Sequence, residues 1–333
     1  MRAVTFHPDG KHLLGGGVDG IRQWRLADGE EVGKKTATLK VIAISVSRDR
    51  KWIVCGTRQG GASVWDAQMR GKAIDVEGTK TVCAVDVSPD STRFATGIEG
   101  GNNRNASIWS LTSGERLVGP LQHDSDVTGV RFSPSGEHVA TFIPGGSVRI
   151  FDSHNGDQLL DIKAKRPTRW SFRVTPLAWS NDGQLIFAIT DNNIIKSFAF
   201  PTGSQLAESP ILDYTHSICL AGNGKFIATV SEEAVSFLDS STLAKTGTVI
   251  KDSKGKWSTP ISLDSGRIAA GREDGKIIVH NLANLLPDSY GPFQVSSCSL
   301  MILACRITIL THTLGIYSRG RTTRRAAFHL GRP

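Results

Sequence analysis

Short apolar strands, each cut off by the same kind of turn, recur along most of this chain. The recurring edge reads "VTFHPDG" (4–10), "ISVSRDR" (44–50), "VDVSPDS" (85–91), "VRFSPSG" (130–136), "LAWSNDG" (177–183), "ICLAGNG" (218–224) and "ISLDSG" (261–266). In the fourth copy, Val130 and Phe132 alternate with Gly129 and Arg131, which places the apolar pair on one face of a strand. Ser133-Pro134-Ser135-Gly136 ends that strand, since proline cannot donate to a sheet ladder and glycine tolerates positive φ. A second strand is predicted at "HVATFI" (138–143), a second turn at Gly145-Gly146, a third strand at "SVRIFD" (147–152) and an outer strand at "DQLLDIK" (157–163).

Each unit closes its third strand on a ring: Trp24, Trp65, Trp109, Phe151, Phe198, Phe237 and His280, spaced 39 to 47 residues apart. A period near 40 built only of strands predicts β-propeller blades. The expected fold is therefore all-β, a seven-bladed β-propeller of four-stranded antiparallel blades over residues 1–288, followed by a C-terminal tail at 289–333. The chain length suits one large domain, and no low-complexity linker separates the units.

The frame x-V-x-F-S-P-D-G, then a small-residue strand, a turn and Trp-Asp, resembles the WD-repeat family over about residues 1–288. Trp65-Asp66 keeps the naming pair and Phe151-Asp152 is a near match, while Gln122-His123 stands where a Gly-His dipeptide is usual, with Val127 four residues on. The resemblance implies a propeller without catalytic activity. It also implies a buried hydrogen-bonded set of His, Ser or Thr, Asp and Trp, which this sequence largely lacks. Asp274 before His280 and Asp19 before Trp24 are the nearest candidates for its acid. Apolar contacts can replace such a set at no net cost, so the fold is expected to persist with weaker individual blades.

The formal charge of +8 resembles a nucleic-acid signal until it is located. No acidic residue follows Asp288, and Arg306, Arg319, Arg321, Arg324, Arg325 and Arg332 supply six of those charges. The repeat region therefore lacks the broad basic face that phosphate binding requires, and no nucleic-acid partner is expected. Five cysteines lie at 55, 83, 219, 298 and 305 without a CxxC pair, and the first three fall on predicted strands, where a thiol behaves as a small apolar group. With a strand rather than a leader at the start, the expected location is intracellular, cytoplasmic with the nucleus as the alternative.

The ends break the pattern. Met1 falls at the start of an inner strand, and the seventh unit shows three strands, the last being "KIIVHNL" (276–282). Either residues beyond Pro287 supply its outer strand, or ring closure is incomplete and two edges stay open to another chain. "RITIL" (306–310) is the candidate closing strand; the tail is expected to give at most that one, and its basic end to be disordered for want of apolar surface. Arg306 and His312 interrupt the apolar stretch 298–317, so no membrane span is expected. The abrupt change of composition also fits a misread gene end, and the bare N-terminal edge a fragment.

Residues with possible chemistry do not converge in the sequence. His7 and His12 flank "PDGK", where a turn predicts surface exposure rather than a metal pair. Glycines 15–17 lack the Lys and Ser/Thr of a phosphate loop and read as a small-residue strand near the ring axis, while Asp124 and Asp126 read as solvated turn acids. No catalytic residue, cofactor or metal is expected. The resemblance instead points to the rim where each outer strand passes to the next inner strand. It puts Arg58, Asn102, Asp126, Arg173, Asp191, Tyr214, His216, Trp257 and Glu273 there, beside Lys40, Thr81, Thr128 and Thr175. Aromatic and arginine side chains are enriched at interface hot spots, which puts Trp257, Tyr214, Arg173 and Arg58 first; Trp257 alternatively caps a blade. The expected function is a non-catalytic scaffold binding a protein or peptide partner at that rim. The alternatives are a sensor or WD-repeat fragment of a larger multi-domain nucleotide-regulated signalling protein and, third, a propeller enzyme.

Overall fold

The structure is a computed structural model that describes residues 2–33, 40–58, 60–68, 71–76, 78, 80–100, 105–144, 147–163, 176–190, 193–213, 215–231, 234–251, 262–263, 266–271, 276–290 and 307–310. The fourth unit folds as its alternation predicts: Gly129–Phe132, His138–Ile143, Ser147–Asp152 and Gln158–Ile162 pair in that order, antiparallel throughout. Six four-stranded antiparallel sheets follow this plan, spanning 3–32, 41–76, 81–122, 129–162, 177–208 and 215–251. They are β-propeller blades.

The seventh sheet departs from the expected antiparallel blade. Ser262–Leu263, Arg267–Gly271 and Ile277–Asn281 pair antiparallel, but Ile307–Leu310 joins in parallel, Ile277 opposite Ile307. A tight hairpin would return the chain antiparallel; a parallel neighbour needs a long crossover. Here the chain leaves Asn281 through two short 3-10 turns, Leu282–Asn284 and Asp288–Tyr290. That segment is anchored to sheet six, with the Tyr290 ring against Phe226 and Lys225 Nζ donating to Ser289 O at 3.0 Å.

The core lies between sheets rather than within them. Leu14, Ile21, Val41, Ile53 and Trp65 fill the space between sheets one and two; Val54, Val64, Val82, Phe94 and Trp109 that between two and three. Similar clusters follow around to sheets six and seven, and Val4, Phe6, Leu13 and Trp24 of sheet one pack on Ala269, Ile277 and Val279 of sheet seven. All seven closing rings are buried. The small-residue position of the second strand sets the close approach of neighbours: a Cβ on Gly97 would come 2.6 Å from Val127 O, and Gly16 and Gly56 face Val41 and Val82 in the same way.

The turn after each inner strand is stapled by a serine and an acid. Ser88 Oγ meets Asp90 and accepts from Arg93 N at 2.9 Å, while Thr92 N donates to Asp90 Oδ1 at 3.1 Å. Ser47 with Asp49 and Ser180 with Asp182 repeat the arrangement. The fourth turn residue adopts positive φ, at 80° in Gly136 and 72° in Gly183, and Arg50 and Ser91 are held there at 66° and 60°. Non-glycine residues take this conformation at a cost.

Candidate functional site

Of the rim positions expected from the sequence, the structure describes the side chains of Lys40, Arg58, Thr81, Asp126 and Thr128, while Thr175 lies outside the described residues. Thr128 is buried at the entry to sheet four, its N–H donating to Phe142 O at 3.0 Å, and offers no exposed contact. Asn102, Arg173, Asp191, Tyr214, Trp257 and Glu273 lie outside the described residues, and of His216 only its place in the strand Thr215–Leu220 is described. Arg58 follows the strand Trp52–Thr57, is exposed, and its backbone N–H donates to Lys40 O at 3.0 Å. Asp126 sits in the connection from sheet three to sheet four and accepts from Gly100 N at 3.0 Å, which fixes its carboxylate beside the end of the strand Arg93–Glu99.

These two residues share a third that the sequence reading passed over. Glu99 ends its strand opposite Thr81 and is partly buried. Burial raises its pKa, the nearby Asp126 carboxylate raises it further, and Arg58 opposes both. Sheets two and three and the loop into sheet four thus bring one cation and two acids near one another. The missed signal was an acid at the last position of a second strand, just before the turn. Beneath them, Cys83 donates to Val127 O at 3.1 Å, and burial pushes its thiol up, so it behaves as the apolar residue expected. Cys55 is likewise buried, in the core between sheets one and two.

Asp124 and Asp126 do not form a carboxylate pair. Asp124 accepts from Arg149 Nη2 at 2.7 Å, whereas Asp126 caps Gly100. The buried polar set is partly present: Trp65 Nε1 donates to Ser63 Oγ at 2.9 Å, Trp109 Nε1 to Thr96 Oγ1 at 2.9 Å, and His123 Nε2 lies 2.9 Å from Thr141 Oγ1. Asp19 does not belong to it, for its carboxylate is exposed and pairs with Arg22.

The first turn overturns the expectation of exposed histidines. His7 is buried, and His12 and Asp9 are partly buried. Antiparallel pairing sets the two imidazoles side by side, His7 N donating to His12 O at 2.9 Å. Their Nδ1 atoms lie 3.1 and 2.6 Å from the same Asp9 Oδ2. The sequence signal was the repeat frame: His7 occupies the place of Ser47, Ser88 and Ser133, so the strand pairing that buries those serines buries it too. No described helix is long and apolar enough to cross a membrane.

The family model "WD domain, G-beta repeat" matches residues 73–110 and 116–152. The chain is 29% identical over 178 residues to the "Chromatin assembly factor 1 subunit FAS2 homolog" of Oryza sativa subsp. japonica, covering 50% of this chain and 35% of that protein. It is 24% identical over 243 residues to "Protein groucho" of Drosophila melanogaster, covering 69% of this chain and 31% of that protein. With "Small ribosomal subunit protein RACK1" of Caenorhabditis elegans the identity is 30% over 141 residues, 40% of this chain and 42% of the relative. The chain thus spans less than half the length of each. Among solved structures, the Myceliophteria thermophila Cps50 (Swd1) β-propeller domain superimposes with a TM-score of 0.66 at 15% identity, covering 82% of this chain and 94% of that one.

Proposed function

We propose that this chain, which its repeats and relatives place with the WD-repeat β-propellers, is a non-catalytic scaffold holding a protein or peptide partner on the rim that carries Arg58, Glu99 and Asp126. The observation that supports the reading is the gathering of those charges from neighbouring sheets, Glu99 at the end of its strand and Asp126 held to Gly100 N beside it at 3.0 Å. Glu99, its charge disfavoured by burial and by Asp126, gains most from a basic side chain brought by a partner, and Arg58 offers a flanking contact for a carboxylate or carbonyl. Loops held by a rigid scaffold are where such contacts concentrate. The relatives' names agree: one is a subunit of chromatin assembly factor 1 and another a small ribosomal subunit protein, each part of a larger assembly.

By the repeat frame, Asn102, Arg173, Asp191, Tyr214, His216, Trp257 and Glu273 continue the same rim. A closed ring of seven blades belongs to this reading, and the packing of Phe6 and Trp24 on Ile277 and Val279 supports it. Affinity capture with the full chain, followed by mass spectrometry, tests the proposal. A partner set lost in the double variant Glu99→Ala/Asp126→Ala and kept in Lys245→Ala, on the exposed outer strand of sheet six, is expected. Retention of that set by the rim variant would refute it.

A further inference from the structure

We propose that the turn joining the first two strands is a binding site for a divalent transition metal, with His7 Nδ1, Asp9 Oδ2 and His12 Nδ1 as its protein ligands. The inference is independent of the rim. Three ligand atoms of the type that zinc, copper and nickel prefer lie within 4.8 Å of one another. Zinc bound by nitrogen and carboxylate at roughly 2.0–2.2 Å needs its ligand atoms about 3.3 Å apart in a tetrahedron. Of the observed separations from Asp9 Oδ2, the 3.1 Å to His7 is close to that spacing, and the 2.6 Å to His12 requires that side to open by about 0.7 Å. A fourth position is left for water.

The electrostatics of the turn call for a cation. His7 Nδ1 accepts the Asp9 N–H at 3.2 Å, yet the same nitrogen faces a carboxylate oxygen at 3.1 Å. One nitrogen cannot both accept from the first group and donate to the second. A lone pair pressed against an anion is unfavourable unless positive charge lies between them. The Asp9 carboxylate is held in place for it, Oδ1 accepting from Lys11 N at 2.7 Å and from His12 N at 3.0 Å while Oδ2 faces both imidazoles. Arg267 of sheet seven, packed on the same turn, meets Gly10 O at 2.7 Å and the Phe6 ring.

The repeat itself gives the contrast. In the described turns of sheets two, three and five the first position is a serine and the third an aspartate, and the serine hydroxyl donates to that aspartate. Sheet four has Ser133 and Ser135 there, with His138 at the second-strand position. Among the described turns the first alone collects two imidazoles around one carboxylate. Substituting His7 by serine therefore restores the chemistry of its neighbours and should leave the fold in place.

Calorimetric titration of the chelator-treated full chain with zinc chloride alone tests the site, alongside cobalt(II) absorption. One saturable equivalent is expected, with a rise in melting temperature. The affinity should fall at least tenfold in both His7→Ser and His12→Gln, and the cobalt complex should show the visible bands of a tetrahedral nitrogen and oxygen site. His7→Ser carries the test if His12→Gln fails to fold. Absence of saturable binding, undiminished zinc affinity in His7→Ser, or a thiolate charge-transfer band, which would move the metal to a cysteine, overturns the proposal.

Discussion

Replacing His123 should flatten the acid side of this protein's stability profile. His123 is buried between sheets three and four, its Nδ1 2.7 Å from Leu121 O and its Nε2 2.9 Å from Thr141 Oγ1. Burial pushes its pKa down to about 4; the Leu121 carbonyl opposes that, Arg149 adds to it, and Asp124 and Asp161 oppose it weakly. A folded-state pKa below the unfolded value of about 6.5 means that the unfolded chain binds the proton first. Stability is then complete above about pH 6.5 and is lost as pH falls toward 4. Over that range linkage gives about 3 kcal/mol in all, and about 2 kcal/mol between pH 7 and pH 5. Urea unfolding of the parent and of His123→Gln at pH 7 and pH 5 isolates the contribution, because the other histidines are common to both. The parent should lose about 2 kcal/mol more than the variant on acidification. Equal losses would show that His123 is not held neutral by its surroundings.

Three further outcomes follow from the packing. Trp109→Ala, which removes a buried ring stacked on Phe94 and bonded to Thr96, should cost about 3–5 kcal/mol by denaturant unfolding. Gly97→Ala places a methyl group 2.6 Å from Val127 O and should cost about 1–3 kcal/mol, read from the same experiment. Arg50→Gly should stabilise by about 0.5–1 kcal/mol, since it relieves a positive φ of 66° that the turn imposes, and a lower melting temperature would contradict this.

The blades were legible because each is specified locally. Alternation at Val130 and Phe132, a breaker at Ser133–Gly136 and a ring at Phe151 suffice to define three strands, and neighbouring sheets cover the apolar faces. What the sequence hid depends on residues distant along the chain. Ile307–Leu310 pairs in parallel with Ile277–Asn281, and Tyr290 docks on Phe226 of another sheet, neither of which the local sequence specifies. The turn between His7 and His12 suggested that His7 is exposed, whereas strand pairing and the packing of sheet seven bury it. Glu99 has an unremarkable place in the sequence and gains its character only when Asp126 and Arg58 are folded beside it.

The central claim, that binding runs through the rim, is most directly tested by the affinity of one captured partner, measured in solution for the parent, Arg58→Ala/Asp126→Ala and Lys245→Ala. The account predicts that the rim pair weakens binding by more than about 2 kcal/mol, roughly thirtyfold, and that Lys245→Ala changes it less than about twofold. Near-parental affinity in the rim variant with a large loss in Lys245→Ala would place the contact on the outer circumference and contradict it.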